Sequence, residues 1–380
     1  MDLDLTDDQR LFLDTTVRFI EGELPVASTR DLHSDPRGYS EGWLRKSAEL
    51  GWYAMLAPEA YGGGSLSDNG LVDAAIVAET LGRFVQPGPF TPINVVVDAL
   101  VGFGSDEQRI RLLPALAGGE TVVTWAPLDG SAQWDLGASL RIEERAGRYH
   151  LTGERGVVQD AQTAELILVC ANQNGRLRQF LVPTKSAGVE VHPLTCLDLT
   201  RRAGLVTFDD VVVDADAIVT TDDNEAALNR QLQVALALTV AETVGALDAM
   251  VSMTVRYAKD RIAFGRPIGS FQALKHILAD VALYLEASKA ASVALTRAVA
   301  ERADDVAEIT AIVASYVGDH ATEIAQQCLQ IHGGIGCTWE HDLHLLMRRT
   351  RANSSLYGTP AWHRERICVL HGLGGTDGLA

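Results

Sequence analysis

Along the first 119 residues apolar side chains recur at roughly helical spacing. Thr6-Asp-Asp-Gln9 is a capping sequence for a first helix, and Leu11, Phe12, Thr15, Val17, Phe19 and Ile20 follow it as a broad apolar stripe. Gly62-Gly-Gly64 predicts a loop. The small-residue helix expected over 71–81 is of the kind that packs closely against another helix. Gly118-Gly119 closes this unit. From about Thr121 the period changes to short β-rich runs at 121–125, 140–143, 149–152, 166–170, 179–182, 189–192 and 205–213, with Asn174-Gly175 as a hairpin turn between two of them. After Asp222-Asp223-Asn224 helical patterns run over about 225–260, 271–302 and 305–332, with a shorter one near 340–352. The expectation is a mainly α chain with a central β unit. It comprises an N-terminal helical domain over 1–119, a small β-barrel or sandwich over 120–222, and a C-terminal four-helix bundle over 223–380.

Composition narrows the function. Hydrophobic residues are 47% and charged residues 22% of the 380, the profile of an ordinary globular protein. A net charge of −18 argues against nucleic acid as a partner. It equally requires that any polyanion site rely on local cations, backbone N–H groups and helix ends. The five cysteines are scattered without zinc-like spacing, so reduced thiols, no metal and a cytoplasmic setting are expected. The acidic start, Met1-Asp-Leu-Asp, lacks the basic region of a signal peptide. The most apolar run, near 234–255, is broken by Glu242 and Asp248 and does not suit a membrane span.

The stretch Arg261-Ile-Ala-Phe-Gly-Arg-Pro-Ile-Gly-Ser-Phe-Gln272 lies between two long helical patterns. It predicts a helix end, a turn, and a helix starting near Phe271 with Ser270 as its cap. Arg261 and Arg266 beside Gly265 and Gly269 also suit the close approach of an anionic ligand. With Gln330-Ile-His-Gly-Gly-Ile-Gly336 and Leu356-Tyr-Gly-Thr-Pro360, this stretch resembles the motifs of the acyl-CoA dehydrogenase family, FAD enzymes that oxidise acyl-CoA thioesters. The resemblance covers nearly the whole chain.

The resemblance implies that Arg261 neutralises the FAD diphosphate, with Phe264 and Gln272 along the dinucleotide and Gln330, Gly333 and Gly334 reaching it from a neighbouring subunit. It assigns Thr359 to the flavin, and Ser131, Tyr357 and Gly358 to the substrate. It also implies a dimer or tetramer, homomeric or with an unlike chain, and an electron-transfer flavoprotein as acceptor. Helix capping is the competing role of the Gly333-Gly334 turn, and core packing that of Trp125. His332, His341 and His344 read as structural or flavin-adjacent.

The sequence departs from the family at two places. Thr124-Trp-Ala-Pro-Leu-Asp-Gly-Ser131 and Gly156-Val-Val-Gln-Asp160 replace its usual flavin-contacting runs. Neither family position for the proton-abstracting Glu is acidic, since Tyr357 stands at one and Ala235 at the other. Glu242 lies seven residues beyond Ala235, on nearly the same helix face about 10 Å further on. Its small neighbours, Gly245 and Ala246, leave room for a pocket, so Glu242 is the expected base, with a buried ion pair as its competing role. Two functions follow. One is α,β-dehydrogenation of an acyl-CoA to the trans-2-enoyl thioester. The other is a non-catalytic, flavin-supporting subunit of a heteromeric dehydrogenase, such as those acting on steroid side chains. A binding scaffold of the same fold is a third.

Overall fold

A computed structural model describes residues 5–129, 139–173, 176–219 and 224–373. Six helices lead the chain: α1 (Asp7–Glu23), α2 (Val26–Asp31), α3 (Glu41–Glu49), α4 (Gly70–Arg83), α5 (Phe90–Phe103) and α6 (Asp106–Ala117). The capping box of α1 forms as its sequence requires. Thr6 Oγ1 accepts from the Gln9 amide at 3.2 Å, and Gln9 Oε1 accepts from the Thr6 amide at 3.1 Å. Gln9 Nε2 then donates to Asp73 Oδ1 at 2.8 Å and ties α1 to α4.

Seven strands follow: β1 (Val123–Ala126), β2 (Leu140–Arg145), β3 (Arg148–Gln159), β4 (Leu166–Gln173), β5 (Arg176–Pro183), β6 (Val189–Leu194) and β7 (Ala203–Val213). They form one curled sheet in the order β1-β4-β2-β3-β7-β6, with β5 also on β4, rather than two stacked sheets. β1 pairs with β4 in parallel, Val123 opposite Leu166, and β4 with β5 antiparallel, Gln173 opposite Arg176. The Asn174-Gly175 turn lies outside the described residues. Leu140, Leu151, Val158, Ile167, Val169, Phe180, Val206 and Val211 make the sheet's own core. β3 shifts register between Arg155 and Val158, where Val157 takes φ +48°. A β-branched residue rarely adopts that conformation, which costs about 1–3 kcal/mol and clusters at ligand sites.

The chain then returns to helices: α7 (Asn224–Asp260), a two-stranded ribbon of β8 (Ile262–Ala263) and β9 (Arg266–Pro267), α8 (Gln272–Glu301), α9 (Val306–His332), α10 (Leu343–Leu356) and α11 (Pro360–Leu370). α7 is long and apolar enough to cross a membrane, but its apolar window is 89% buried within the protein, packed against α4, α8, α9 and α10. The close helix contact expected of the small-residue helix is made with α7. A Cβ on Gly82 would fall 1.8 Å from the Glu242 carbonyl oxygen, and one on Gly245 would fall 1.8 Å from that of Glu79. Gly245 therefore marks a backbone-to-backbone crossing and leaves no room for a pocket at Glu242. α11 was absent from the helical periodicity. Its start is local chemistry, with Thr359 accepting from the Trp362 amide at 3.2 Å and Pro360 at the first turn.

Candidate functional site

The segment from Arg261 to Gln272 is a hairpin at the end of α7. Ile262 pairs with Pro267 and Ala263 with Arg266, and the Ile268 amide donates to the Arg261 carbonyl at 2.8 Å. Phe264 and Gly265 form its turn at φ +54° and +79°, the left-handed pair that a two-residue hairpin demands. This differs from the expected helix-turn-helix. Ser270 does not cap α8; its hydroxyl donates to the Pro267 carbonyl at 2.7 Å, and α8 begins one residue later, at Gln272. The Phe264 ring is 94% exposed, and the Arg266 guanidinium lies 4.1 Å from the centroid of Phe271. Arg261 and Gln272 are exposed as well.

Gln330 sits on the last turn of α9, and Gly333 and Gly334 follow with open space where a Cβ would stand. Tyr257 stacks on His332 at 4.6 Å, so the glycine turn and the end of α7 that leads into the hairpin lie side by side. His332 Nδ1 is 2.9 Å from the Cys328 carbonyl, a structural placement.

A second region is the seam between sheet and bundle. Tyr357 is buried there, with its ring 5.5 Å from that of Trp125 and its hydroxyl accepting from Gln159 Nε2 at 2.9 Å. Burial pushes the Tyr357 phenol well above its ordinary range, so it remains protonated and cannot serve as a base near neutral pH. Gly358 takes φ +110°, with Trp362 and His363 packed where a side chain would go. A cleft of about 430 Å³ opens beside this seam, lined by Leu128, Val157, Gln159, Arg201, Leu356 and Thr359 among others. Ser131 lies outside the described residues.

Glu242 belongs to a buried ionic cluster beneath that cleft. Arg349 Nη1 donates to its Oε1 at 2.5 Å; Arg201 Nη2 and Asn353 Nδ2 donate to its Oε2, the latter at 3.0 Å. Arg349 also donates to Asp198, and to Thr200 Oγ1 at 2.6 Å. Both carboxylate oxygens are thus held by guanidinium groups. With both oxygens taken up by donors from this chain, the geometry does not support the expectation that Glu242 is the base. Next to the cluster, Asp160 is buried at φ +51°; burial raises its pKa to about 7, against the pull of Arg201, Arg202 and Arg349.

The third region was not visible in the sequence. A cavity of about 430 Å³ lies between α7, α9, α11 and the end of α8, with Asn229, Arg230, Arg302, Thr310, His363 and Arg366 in its wall. None of its described lining residues is acidic. Asp98 pairs with Arg230 at 2.8 Å, whereas Arg302 and Arg366 have no carboxylate partner among the described residues. In a chain with 50 acidic and 32 basic residues, such a wall is a local positive field. The spacing of Arg302 and Arg366 carries no motif, and only the folded helices bring them together.

Sequence models of the acyl-CoA dehydrogenase N-terminal domain and C-terminal domain match residues 6–120 and 226–368, together more than half of the chain. The chain belongs to the acyl-CoA dehydrogenase family. Members of this family are FAD-dependent oxidoreductases. The chain is 27% identical over 365 residues to the acyl-CoA dehydrogenase IpdE2 of Mycolicibacterium smegmatis, covering 96% of this chain and 98% of that protein. Its fold matches a chain of the ChsE4-ChsE5 complex from Mycobacterium tuberculosis with a TM-score of 0.87 at 23% identity, over 99% and 100% of the two chains. It also matches a variant of the Tcur3481-Tcur3483 steroid ACAD with a TM-score of 0.87 at 24% identity, over 96% and 98%.

The residues present fit FAD in kind. Arg261 and the open backbone of Gly333 and Gly334 suit a diphosphate, and the cleft at Val157, Gln159 and Thr359 has the size of a small-molecule site.

Proposed function

We propose that this acyl-CoA dehydrogenase family chain takes part in the α,β-dehydrogenation of an acyl-CoA thioester to the trans-2-enoyl thioester, with an electron-transfer flavoprotein receiving the electrons. The observation that carries this reading is the cavity in which, among the described residues, no acid lines the wall and Arg302 and Arg366 have no carboxylate partner, a place for the phosphates of coenzyme A in a strongly acidic chain. The cavity and the apolar cleft share the 356–363 segment, Leu356 and Thr359 facing the cleft and His363 the cavity. A thioester entering past the arginines is thereby led toward Tyr357 and Gly358. FAD, when bound, supplies the hydride acceptor. Arg261, Phe264, Gln272 and Thr359 would hold it, together with Gln330, Gly333 and Gly334 of a neighbouring copy. Calorimetric titration with a CoA thioester tests the reading. Arg366→Gln should weaken binding about tenfold or more, and equal affinity would remove its basis.

The absence of an acid at both family base positions, and the neutralised Glu242, favour a second reading. In it the chain is the flavin-supporting half of a heterotetramer in the cytoplasm, paired with an unlike chain, as ChsE4 and ChsE5 form a complex with each other. Anaerobic flavin bleaching by the chain alone, and then with a candidate partner, separates the two. Bleaching by the chain alone would refute the second.

A further inference from the structure

We infer that Arg201 is the cation that the cleft between sheet and bundle presents to the flavin ring, and that it favours the reduced flavin over the oxidised one. The inference rests on the reading of that cleft as part of the FAD site. The cleft wall is mostly apolar, with Leu128, Val157, Leu194, Leu197, Ala203 and Leu356 in it. Such a slot suits a flat, largely apolar ring, and a charge in it acts through a low dielectric.

Three charged side chains share the wall: Asp198, Arg201 and Arg202. Two of them are committed to the protein itself. Asp198 accepts from Arg349, and from the Thr200 amide and hydroxyl at 3.0 and 2.9 Å. Arg202 donates from Nε and both Nη atoms to the backbone carbonyls of Leu32, Asp35, Leu199 and Arg201.

Arg201 differs. Its Nη1 donates to Asn353 Oδ1 and its Nη2 to Glu242 Oε2, and Asn353 Nδ2 donates to the same Oε2 at 3.0 Å. This ring of three side chains fixes one edge of the guanidinium. A guanidinium is a rigid planar fork of five N–H donors, so fixing that edge also aims the Nε–H. The Nε–H meets no acceptor among the described residues, and 14% of the side chain stays open in the cleft wall.

The positive charge is not cancelled in place. Arg201, Arg202 and Arg349 stand with Asp198 and Glu242, three guanidinium groups to two carboxylates. Asp160 beside them, raised to about 7 by burial, is only about half ionised at neutral pH.

Oxidised flavin is a neutral ring, whereas flavin that has accepted a hydride and no further proton carries a negative charge over its pyrimidine edge. A fixed cation and N–H donor in an apolar slot therefore bind the reduced form more tightly, and charge near the ring is a means by which a protein sets its potential. Glu242 and Asn353 act here as positioning residues for Arg201, a task for the buried carboxylate other than proton abstraction.

The test uses the full-length chain, in the assembly in which it purifies, loaded with FAD. The flavin's midpoint potential is measured by equilibration with a reference dye. Arg201→Gln should hold reduced relative to oxidised flavin about tenfold less tightly, a fall of about 30 mV for a two-electron couple. Arg201→Lys keeps the charge without the fork, and its potential should fall between those of Arg201→Gln and wild type. A purely structural role would lower FAD content or melting temperature and leave the potential of the remaining flavin unchanged; that result overturns the inference. If Arg201→Gln does not fold, the lysine variant decides alone, a potential below wild type supporting the inference and an equal one overturning it. A wild-type assembly that binds no FAD overturns the reading of the cleft, and the inference with it.

Discussion

Arg349 Nη1 donates to Glu242 Oε1 at 2.5 Å, fastening α10 to the middle of α7 in a place where Arg349 itself has no exposed surface. The same guanidinium holds Asp198, and Arg201 closes the cluster from the cleft side. Removing one member of such a set leaves a charge buried without compensation, which is costlier than the set is stabilising.

Glu242→Ala should therefore lower stability by about 3–5 kcal/mol, measured by urea unfolding, because Arg201 loses its carboxylate partner and Arg349 keeps only Asp198, leaving a positive charge buried in excess. Glu242→Gln should also destabilise, by a smaller amount. A Gln variant of wild-type stability whose flavin no longer bleaches with substrate would instead restore Glu242 as the base.

Asp160 predicts a pH dependence. Its folded pKa of about 7 lies above the ordinary carboxyl value, so between roughly pH 4 and 7 the folded state binds the proton that the unfolded state has lost. This contribution to stability is present at low pH and is lost as pH rises through 7. Asp160→Asn should remove that slope and raise stability at pH 8 by a few kcal/mol at most; Asn also tolerates the residue's φ of +51°. His363, with its lowered pKa, slopes the other way between about pH 4 and 6.5, so the comparison is of Asp160→Asn with wild type across the range. Parallel stability curves for the two proteins would refute the assignment.

Arg261 lies on the surface of a single chain, so Arg261→Ala should leave folding unchanged. Loss of a charged contact to a diphosphate is worth about 1.5–3 kcal/mol, which corresponds to a loss of FAD affinity of roughly ten- to a hundredfold. Flavin content after gel filtration is the measurement. Full retention would remove Arg261 from the FAD site.

Phe264 presents 94% of its surface to solvent at the tip of the hairpin, an orientation that makes sense against a second chain. Phe264→Gly suits the left-handed turn position, so the chain should fold at least as well. Sedimentation at micromolar concentration should show wild type as a dimer or tetramer and the variant shifted toward monomer. An unchanged distribution would place the ring outside the interface.

The parts of the molecule set by near neighbours were legible in the sequence. The capping box of α1 needs residues three apart, and the three long helices of the bundle announce themselves by period. The Thr359-Pro360 start of α11 was equally local and could have been read from its cap. Sheet closure could not, because the parallel pairing of β1 with β4 joins runs more than 40 residues apart. Glu242 shows the same limit. Its apolar sequence neighbours suggest a pocket, whereas its partners are 41 and 107 residues away and its small neighbour Gly245 serves α4.

The α4–α7 crossing has a consequence for variation in this protein. Glu242 is pressed at its carbonyl by Gly82 and held at its carboxylate by Arg201, which lines the cleft. A methyl group added at Gly82 must push that carbonyl aside, and the residue transmits the displacement, lever-like, to the cleft wall. Natural variation at Gly82 of α4 is then expected to register as altered ligand affinity, from a residue that no ligand touches.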